Sequence, residues 1–423
     1  MAKKDLVAIM TYDELLELLH IIIHSKDILD AARLKVTAFT RNRCMPFSYA
    51  LLFALDMLKT TLQTRLNSFF EKLGKGDPIS QQALSKLRMN FDHSPFETMV
   101  RQFVAKEYSG QYDLPTWYGY HVYGIDGSSL QLPRVDELRE AFGVMGRGGT
   151  CPCAGISVLY DVLHGWPLDP VIAGADMNER TECEDHIAFL CRSLPHLVEK
   201  SIILLDRGYP SLDLLGKLQD SGLKYLARCN SKFLSEINSA PEGDSVVTLK
   251  NGACIRIIKF KLPSGEIETL ATNLFELSEE LFPKLYGLRW GIETAYFKLK
   301  REICIEKFSG KTRNSILQDF WAGMVIMISV TVFQRAADEK VAERQKGKAL
   351  KHTYRARTSD LIITLRDRFI SAIICGPPEF TASEMDDVIK TMARVISPIR
   401  PGRSYPRKFK PAYVVNHNLK SHL

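Results

Sequence analysis

At 423 residues the chain can hold several domains, each with its own core. Its make-up, 45% hydrophobic and 25% charged, is that of a globular protein and excludes a disordered or fibrous one. The net charge of +7 is modest, so where the cations fall matters more than their sum.

The longest apolar run, Phe320 to Phe333, is too short to span a bilayer and reads as a buried helix. The opening residues, Met-Ala-Lys-Lys-Asp, lack a signal-peptide pattern, so a cytoplasmic location with no membrane partner is expected. The nine cysteines are scattered. Cys151 and Cys153 are closely spaced but lack a matching pair of metal ligands, which favours free thiols in a reducing compartment over zinc.

Residues 1–115 read as helical, with periodic apolar positions over Tyr12–Ile23, Phe47–Leu73 and Ser80–Phe91. Pro46 suits a helix start and Ser80 an N-cap. Gln81, Gln82, Ser85 and Arg88 carry side chains that can reach phosphates or base edges, although a solvated helix face is the simpler reading. Thr40-Arg41-Asn42-Arg43 is a second basic element of the same kind.

Strand signals begin near Trp117. Tyr118–Ile125 alternates, then meets Asp126-Gly127-Ser128-Ser129, which places Asp126 at a strand end. Ile156–Leu163 and Pro167–Ala173 flank the turn His164-Gly165 and read as a hairpin. Glu184–Leu194 is expected to be a helix. Ser201–Leu205 is a short continuous apolar run, as in a strand buried on both faces, and it stops at Asp206-Arg207-Gly208. Helix Leu212–Asp220 and strand Lys224–Cys229 follow. The order implies an α/β fold with a mixed sheet flanked by helices, in residues 116–229 and 275–335. Residues 230–274 interrupt it with three strand-like segments, a β-rich antiparallel insertion.

Leu285–Ile303 carries the densest pattern. With about 100° per residue, Tyr286, Arg289, Glu293 and Lys300 share one narrow arc beside an apolar stripe, if the helix is continuous. Tyr286 and Lys300 would then stand about 21 Å apart, too far for one metal site but suited to following a phosphate backbone. A further helix is expected over Ser315–Arg335. Residues 336–423 are basic: from Val388 onward there are eight Lys or Arg and no Asp or Glu. Arg403, Arg407, Lys408 and Lys410 alternate with Tyr405 and Phe409. Such a run is either solvated or in contact with nucleic acid.

Three carboxylates stand out by position: Asp126 and Asp206 at strand ends, and Glu293 on the patterned helix. The carboxyl ends of neighbouring parallel strands open on one crevice. Carboxylates gathered there repel one another unless a cation lies between them, and hard divalent ions, magnesium above all, take oxygen ligands. Two such ions can serve phosphoryl transfer.

The spacing Tyr286-x2-Arg289-x3-Glu293-x6-Lys300, with Trp290 after the arginine, resembles the Tyr-Arg-Glu-Lys signature of DDE transposases of the insertion-sequence family numbered four. Ile125-Asp126-Gly127 and Leu205-Asp206-Arg207-Gly208-Tyr209 resemble that family's two aspartate motifs. Arg41–Met57 and Ile79–Arg88 resemble its N-terminal helical region. The resemblance implies an RNase H-like core interrupted by a β-rich insertion. It implies two Mg²⁺ or Mn²⁺ ions on catalytic Asp126, Asp206 and Glu293, and DNA contacts by Tyr286, Arg289 and Lys300. Trp290 is a further candidate for DNA contact, because the insertion offers no tryptophan. Terminal inverted repeats and target DNA would be the partners, with a homodimer bridging two ends. Two rivals remain: a DNA-binding protein of the same ancestry that no longer cuts, and a metal-independent hydrolase built on paired carboxylates.

Overall fold

The computed structural model describes residues 9–400 apart from 42, 111, 147–148, 231–232, 251 and 380–381. The basic positions Arg403, Arg407, Lys408 and Lys410 lie outside the described residues. The chain divides into two compact units. One is built on Glu107–Leu130 and Ala154–Phe297, the other on Met10–Lys106, Gln131–Cys153 and the chain from Lys298 onward.

Six helices come first: α1 (Tyr12–His24), α2 (Lys26–Ala32), α3 (Phe47–Leu55), α4 (Leu62–Lys72), α5 (Gln81–Arg88) and α6 (Ser94–Glu107). A capping box between Thr11 and Glu14 starts α1, and Ser80 caps α5 by accepting from the Ala83 amide at 3.2 Å. The single helix expected over Phe47–Leu73 is two. Asp56 ends α3, Thr61 caps α4 by accepting from the Thr64 amide, and the buried Arg65 guanidinium collects the carbonyls of Phe53 and Asp56 at the break.

The first unit holds an eight-stranded sheet. Its strands are β1 (His121–Gln131), β2 (Cys153–Asp161), β3 (Trp166–Gly174), β4 (Ser201–Leu205), β5 (Lys224–Arg228), β6 (Gly243–Thr248), β7 (Cys254–Lys261) and β8 (Ile267–Thr272). They lie in the order β3-β2-β1-β4-β5-β8-β7-β6. β1, β4 and β5 are parallel neighbours, and the β2–β3 hairpin is antiparallel. Strands β6 to β8 are antiparallel, as expected, and continue the sheet through β8 on β5. This is a mixed α/β, RNase H-like core.

Along the chain, α7 (Asp136–Phe142), which belongs to the second unit, follows β1, and the first unit adds α8 (Glu179–Ser193), α9 (Leu212–Asp220) and α10 (Ser235–Ser239). Helix α8 starts five residues before the expected Glu184, because Asn178 caps it by accepting from the Arg180 and Thr181 amides. It is tied to the sheet by buried polar side chains. Ser157 on β2 meets His186 Nε2 at 2.9 Å, and Asp169 on β3 meets His186 Nδ1 at 2.7 Å. Ser157 is fully buried, so this serine–histidine–aspartate chain works as a strut and cannot meet a substrate.

The continuous helix expected over Leu285–Ile303 is interrupted twice. α11 (Phe282–Gly287) and α12 (Trp290–Phe297) are separated by a turn at Leu288 and Arg289, and Lys298–Glu302 winds as a π-helical turn. The 21 Å ruler from Tyr286 to Lys300 therefore does not hold. Phe282 and Leu285 of α11 pack with Val122, Ile202, Leu204 and Leu226 of the sheet, and this core fixes where the following turn lies.

In the second unit α13 (Arg313–Gln345) is longer at both ends than the expected Ser315–Arg335, and a capping box between Thr312 and Ser315 starts it. By length and composition it could cross a membrane, yet its apolar stretch is wholly buried within the protein. Strand β9 (Thr353–Ala356), helices α14 (Thr358–Glu379) and α15 (Ala382–Met392) and strand β10 (Ile396–Ile399) follow, with β10 antiparallel to β9. Arg88, read from the sequence as a residue able to reach DNA, is buried instead against Asp319 at 2.9 Å.

Candidate active site

The parallel pairing of β1 and β4 runs from His121 opposite Ser201 to Gly124 opposite Leu204. Continued two residues, that register sets Asp126 opposite Asp206. The two aspartates thus meet because their strands are neighbours, in the crevice that parallel strand ends create. Asp126 does not end its strand, as expected from the glycine and serines after it: β1 runs on to Gln131. Asp206 does follow the last residue of β4.

Glu293 reaches the same place through α12. Gly124, two residues before Asp126, faces that helix: a β-carbon there would make ordinary contact with Val162 at 3.4 Å and with Ile292 at 3.6 Å. Tyr296, one turn beyond Glu293, donates its hydroxyl proton to the Asp126 carbonyl at 2.6 Å. This bond locks α12 onto β1 beside the carboxylates.

Arg289 lies among the three. It pairs with Glu293 at 2.7 Å and stands 3.9 Å from Asp126. Its Nε is buried without a hydrogen-bond partner. Tyr286 donates to Asp206 at 3.1 Å. Burial pushes the Asp126 carboxyl up to about 6; Arg289 and the Gly127 amide oppose this, while Asp206 and Glu179 add to it. Asp206 is also pushed up by burial, but the Arg207 amide, Arg289, Tyr286 and Arg228 outweigh it and hold the group below the usual range. Two carboxyls shifted in opposite directions within one crevice mark a site whose charges are held out of balance.

The other expected contacts separate. Trp290 is 57% exposed at the start of α12. Lys300 lies in the π-helical turn and belongs to the second unit; burial lowers its pKa against the opposing pull of Glu306.

Carboxylate oxygen is the donor type that hard divalent cations take. Among the described residues no three His, Cys, Asp or Glu side chains stand grouped tightly enough to hold a metal. Arg289 stands within 3.9 Å of Asp126 and 2.7 Å of Glu293. Sequence reading missed Glu179, whose charge acts on Asp126, Tyr209 and Tyr296. The signal was present: asparagine before an acidic first turn marks a helix start.

No curated protein matches the chain. A solved piggyBac transposase synaptic complex with hairpin DNA is similar in fold, with a TM-score of 0.50 over 95% of this chain and 90% of that one, at 13% identity. Residues 117–329, half of the chain, match the transposase DDE domain, and they enclose both aspartates, Tyr286, Arg289, Glu293 and Lys300. The chain therefore belongs to the DDE-domain transposases.

Proposed function

We propose that this protein is a cytoplasmic DNA transposase of the insertion-sequence family numbered four. In this reading it cuts DNA at element ends and joins the freed ends to target DNA. One observation carries it: Asp126, Asp206 and Glu293, from three separate elements, converge around a single buried arginine.

In this reading those three carboxylates are catalytic and hold two Mg²⁺ or Mn²⁺ ions. Bound there, the ions would polarise the scissile phosphate and help to generate the attacking hydroxide. Water oxygen bonds to phosphorus, the bond to the 3′ oxygen breaks, and that oxygen takes up a proton. The resulting 3′-hydroxyl attacks a target phosphodiester in the same way, displacing another 3′ oxygen. Tyr296 fixes the backbone of Asp126 throughout. Tyr286 and Arg289, which hold Asp206 and Glu293, have donors suited to phosphate oxygens, and exposed Trp290 offers a ring face for stacking. Lys300, Arg403, Arg407, Lys408 and Lys410 would add phosphate contacts. The partners are terminal inverted repeats and target DNA, bridged by a homodimer.

The test incubates the full chain with DNA duplexes carrying the element's inverted ends, with Mg²⁺, with Mn²⁺ and with chelator. Metal-dependent nicking at the ends supports the reading. Binding without any cleavage would instead identify a DNA-binding protein of transposase ancestry, and chelator-insensitive hydrolysis of another substrate would overturn the metal assignment.

A further inference from the structure

The carboxylate crevice lies at one end of the β1–β4 pair, and a second hollow lies at the other. His121, the first residue of β1, stands opposite Ser201, the first of β4, and Lys200 immediately precedes Ser201. At about 3.3 Å per residue, His121 is about 17 Å along the strand from Asp126. At these two strand starts is a cavity of about 300 Å³, with Leu114 and Leu197 as apolar walls and Asp113, Thr116, His121 and Lys200 as polar lining. A tight turn at Gly119 closes one side. Trp117 and Tyr120 exchange both backbone hydrogen bonds, at 2.8 and 2.9 Å, and Tyr118 and Gly119 between them have positive φ. The cavity is thus formed by paired backbone and does not depend on a loose loop.

The fold leaves the polar groups of this cavity unused. His121 is more than nine-tenths buried, at 8% exposure, yet its Nδ1 has no hydrogen-bond partner. A buried ring nitrogen without a partner is destabilising by itself. Lys200 and Asp113 are both exposed, and among the described residues they form no ion pair with each other or with another side chain. The charge around the ring is mainly positive. Burial holds His121 below its usual pKa, Lys200, His164 and His196 push it the same way, and Asp113 opposes them. His164 is already paired with Glu107, so Lys200 is the leading unanswered cation at the cavity. A concave site with apolar walls, a free cation and an unused ring nitrogen suits a compact anion on a small carrier.

We propose that this cavity binds the phosphate group of a phosphate-bearing molecule, through Lys200, His121 and the Thr116 hydroxyl, at a site separate from the carboxylate crevice. Lys200 supplies the charge. His121 and Thr116 supply directed donors, and Leu114 and Leu197 take the apolar part of the carrier. The site needs no metal and does not rest on the reading of the carboxylates given above.

The experiment titrates inorganic phosphate into the full chain, following the heat of binding and the ring resonances of isotope-labelled histidine, for wild type and Lys200→Gln. Lys200 is exposed, so the glutamine variant keeps its fold, which its unfolding midpoint checks. His121→Gln identifies the His121 resonance. Saturable binding is expected, and it should move that resonance toward its protonated position, because a neighbouring anion raises an imidazole pKa. Lys200→Gln should weaken phosphate binding about tenfold. Absence of saturable binding overturns the proposal, and so does binding that Lys200→Gln leaves unchanged or that does not move the His121 resonance. A nucleoside monophosphate and a DNA duplex are then added as competitors. Displacement by the monophosphate alone supports the proposal with a free small molecule as the source, and displacement by the duplex supports it with backbone phosphate as the source. Displacement by neither overturns the assignment to a phosphate-bearing molecule.

Discussion

Two buried arginines, one in each unit, stand beside acidic side chains and do opposite work. Arg88 is saturated: its Nε meets Gln318 at 2.7 Å, one terminal nitrogen meets Ser309 at 2.6 Å, and the other meets the Ser315 carbonyl and Asp319, both at 2.9 Å. Asp319 is itself filled by the Ser309 amide and hydroxyl. Arg289 is slightly more buried, 6% exposed against 8%, but makes one close contact, to Glu293, and leaves its Nε without a partner. Burial alone therefore does not tell the two arginines apart; satisfaction of their donors does. A saturated guanidinium has nothing left to offer a ligand, whereas an under-used one in a crevice can exchange its partners.

The contrast can be broken at either end. The largest effect is expected at the working end: Glu293→Ala should lower DNA-end cleavage by about a thousandfold, a loss of several kcal/mol of transition-state stabilisation, with end binding largely kept. Gel assays of cleavage and of binding on the same duplexes check this, and undiminished cleavage removes Glu293 from the proposed metal site. At the scaffold end, Arg88→Ala should cost about 3–5 kcal/mol in urea unfolding, because it strands a buried Asp319 carboxylate.

A smaller effect separates the two carboxylate environments by pH. Burial pushes Asp319 up, but Arg88, Lys59 and the Ser309 bonds outweigh it and leave the group below its ordinary value. A depressed folded pKa gives stability that is present above the unfolded pKa and lost as pH falls through the folded one. Wild-type urea midpoints should thus drop below about pH 4, and Asp319→Asn should flatten that drop. The smallest effect is Arg289→Ala, expected to cost about 1 kcal/mol of stability, since its carboxylate partners can turn to solvent. A loss equal to that of Arg88→Ala would mean that both arginines are scaffold, and the distinction drawn from donor satisfaction would fail.

The strands were readable because alternation and short apolar runs encode them directly: β4 was expected over Ser201–Leu205 and is found there. The neighbouring of β1 and β4 was not readable, since pairing between distant strands leaves no local mark, yet it is what brings Asp126 to Asp206. Arg88 looked available because its partner Asp319 lies 231 residues away. The helix over Leu285–Ile303 looked continuous because its apolar stripe is; the interruptions at Leu288–Arg289 and Lys298–Glu302 leave the stripe intact and change only the winding. Glu179 stayed hidden because the start of α8 was set at Glu184, although Asn178 announced it.

The run of β1 past Asp126 to Gln131 has a consequence for how this site tolerates change in chain length. Side chains on a strand alternate between faces, so deleting one residue within β1 would turn Asp126 or its flanking residues to the wrong side. Glu293 rides on an eight-residue helix with an irregular turn before it and a π-helical turn after it. There, an extra residue can be absorbed as a change of winding. Insertions and deletions should therefore accumulate around α12 and be absent from β1, with one acidic group of the site held in fixed register and another carried on an adjustable mount.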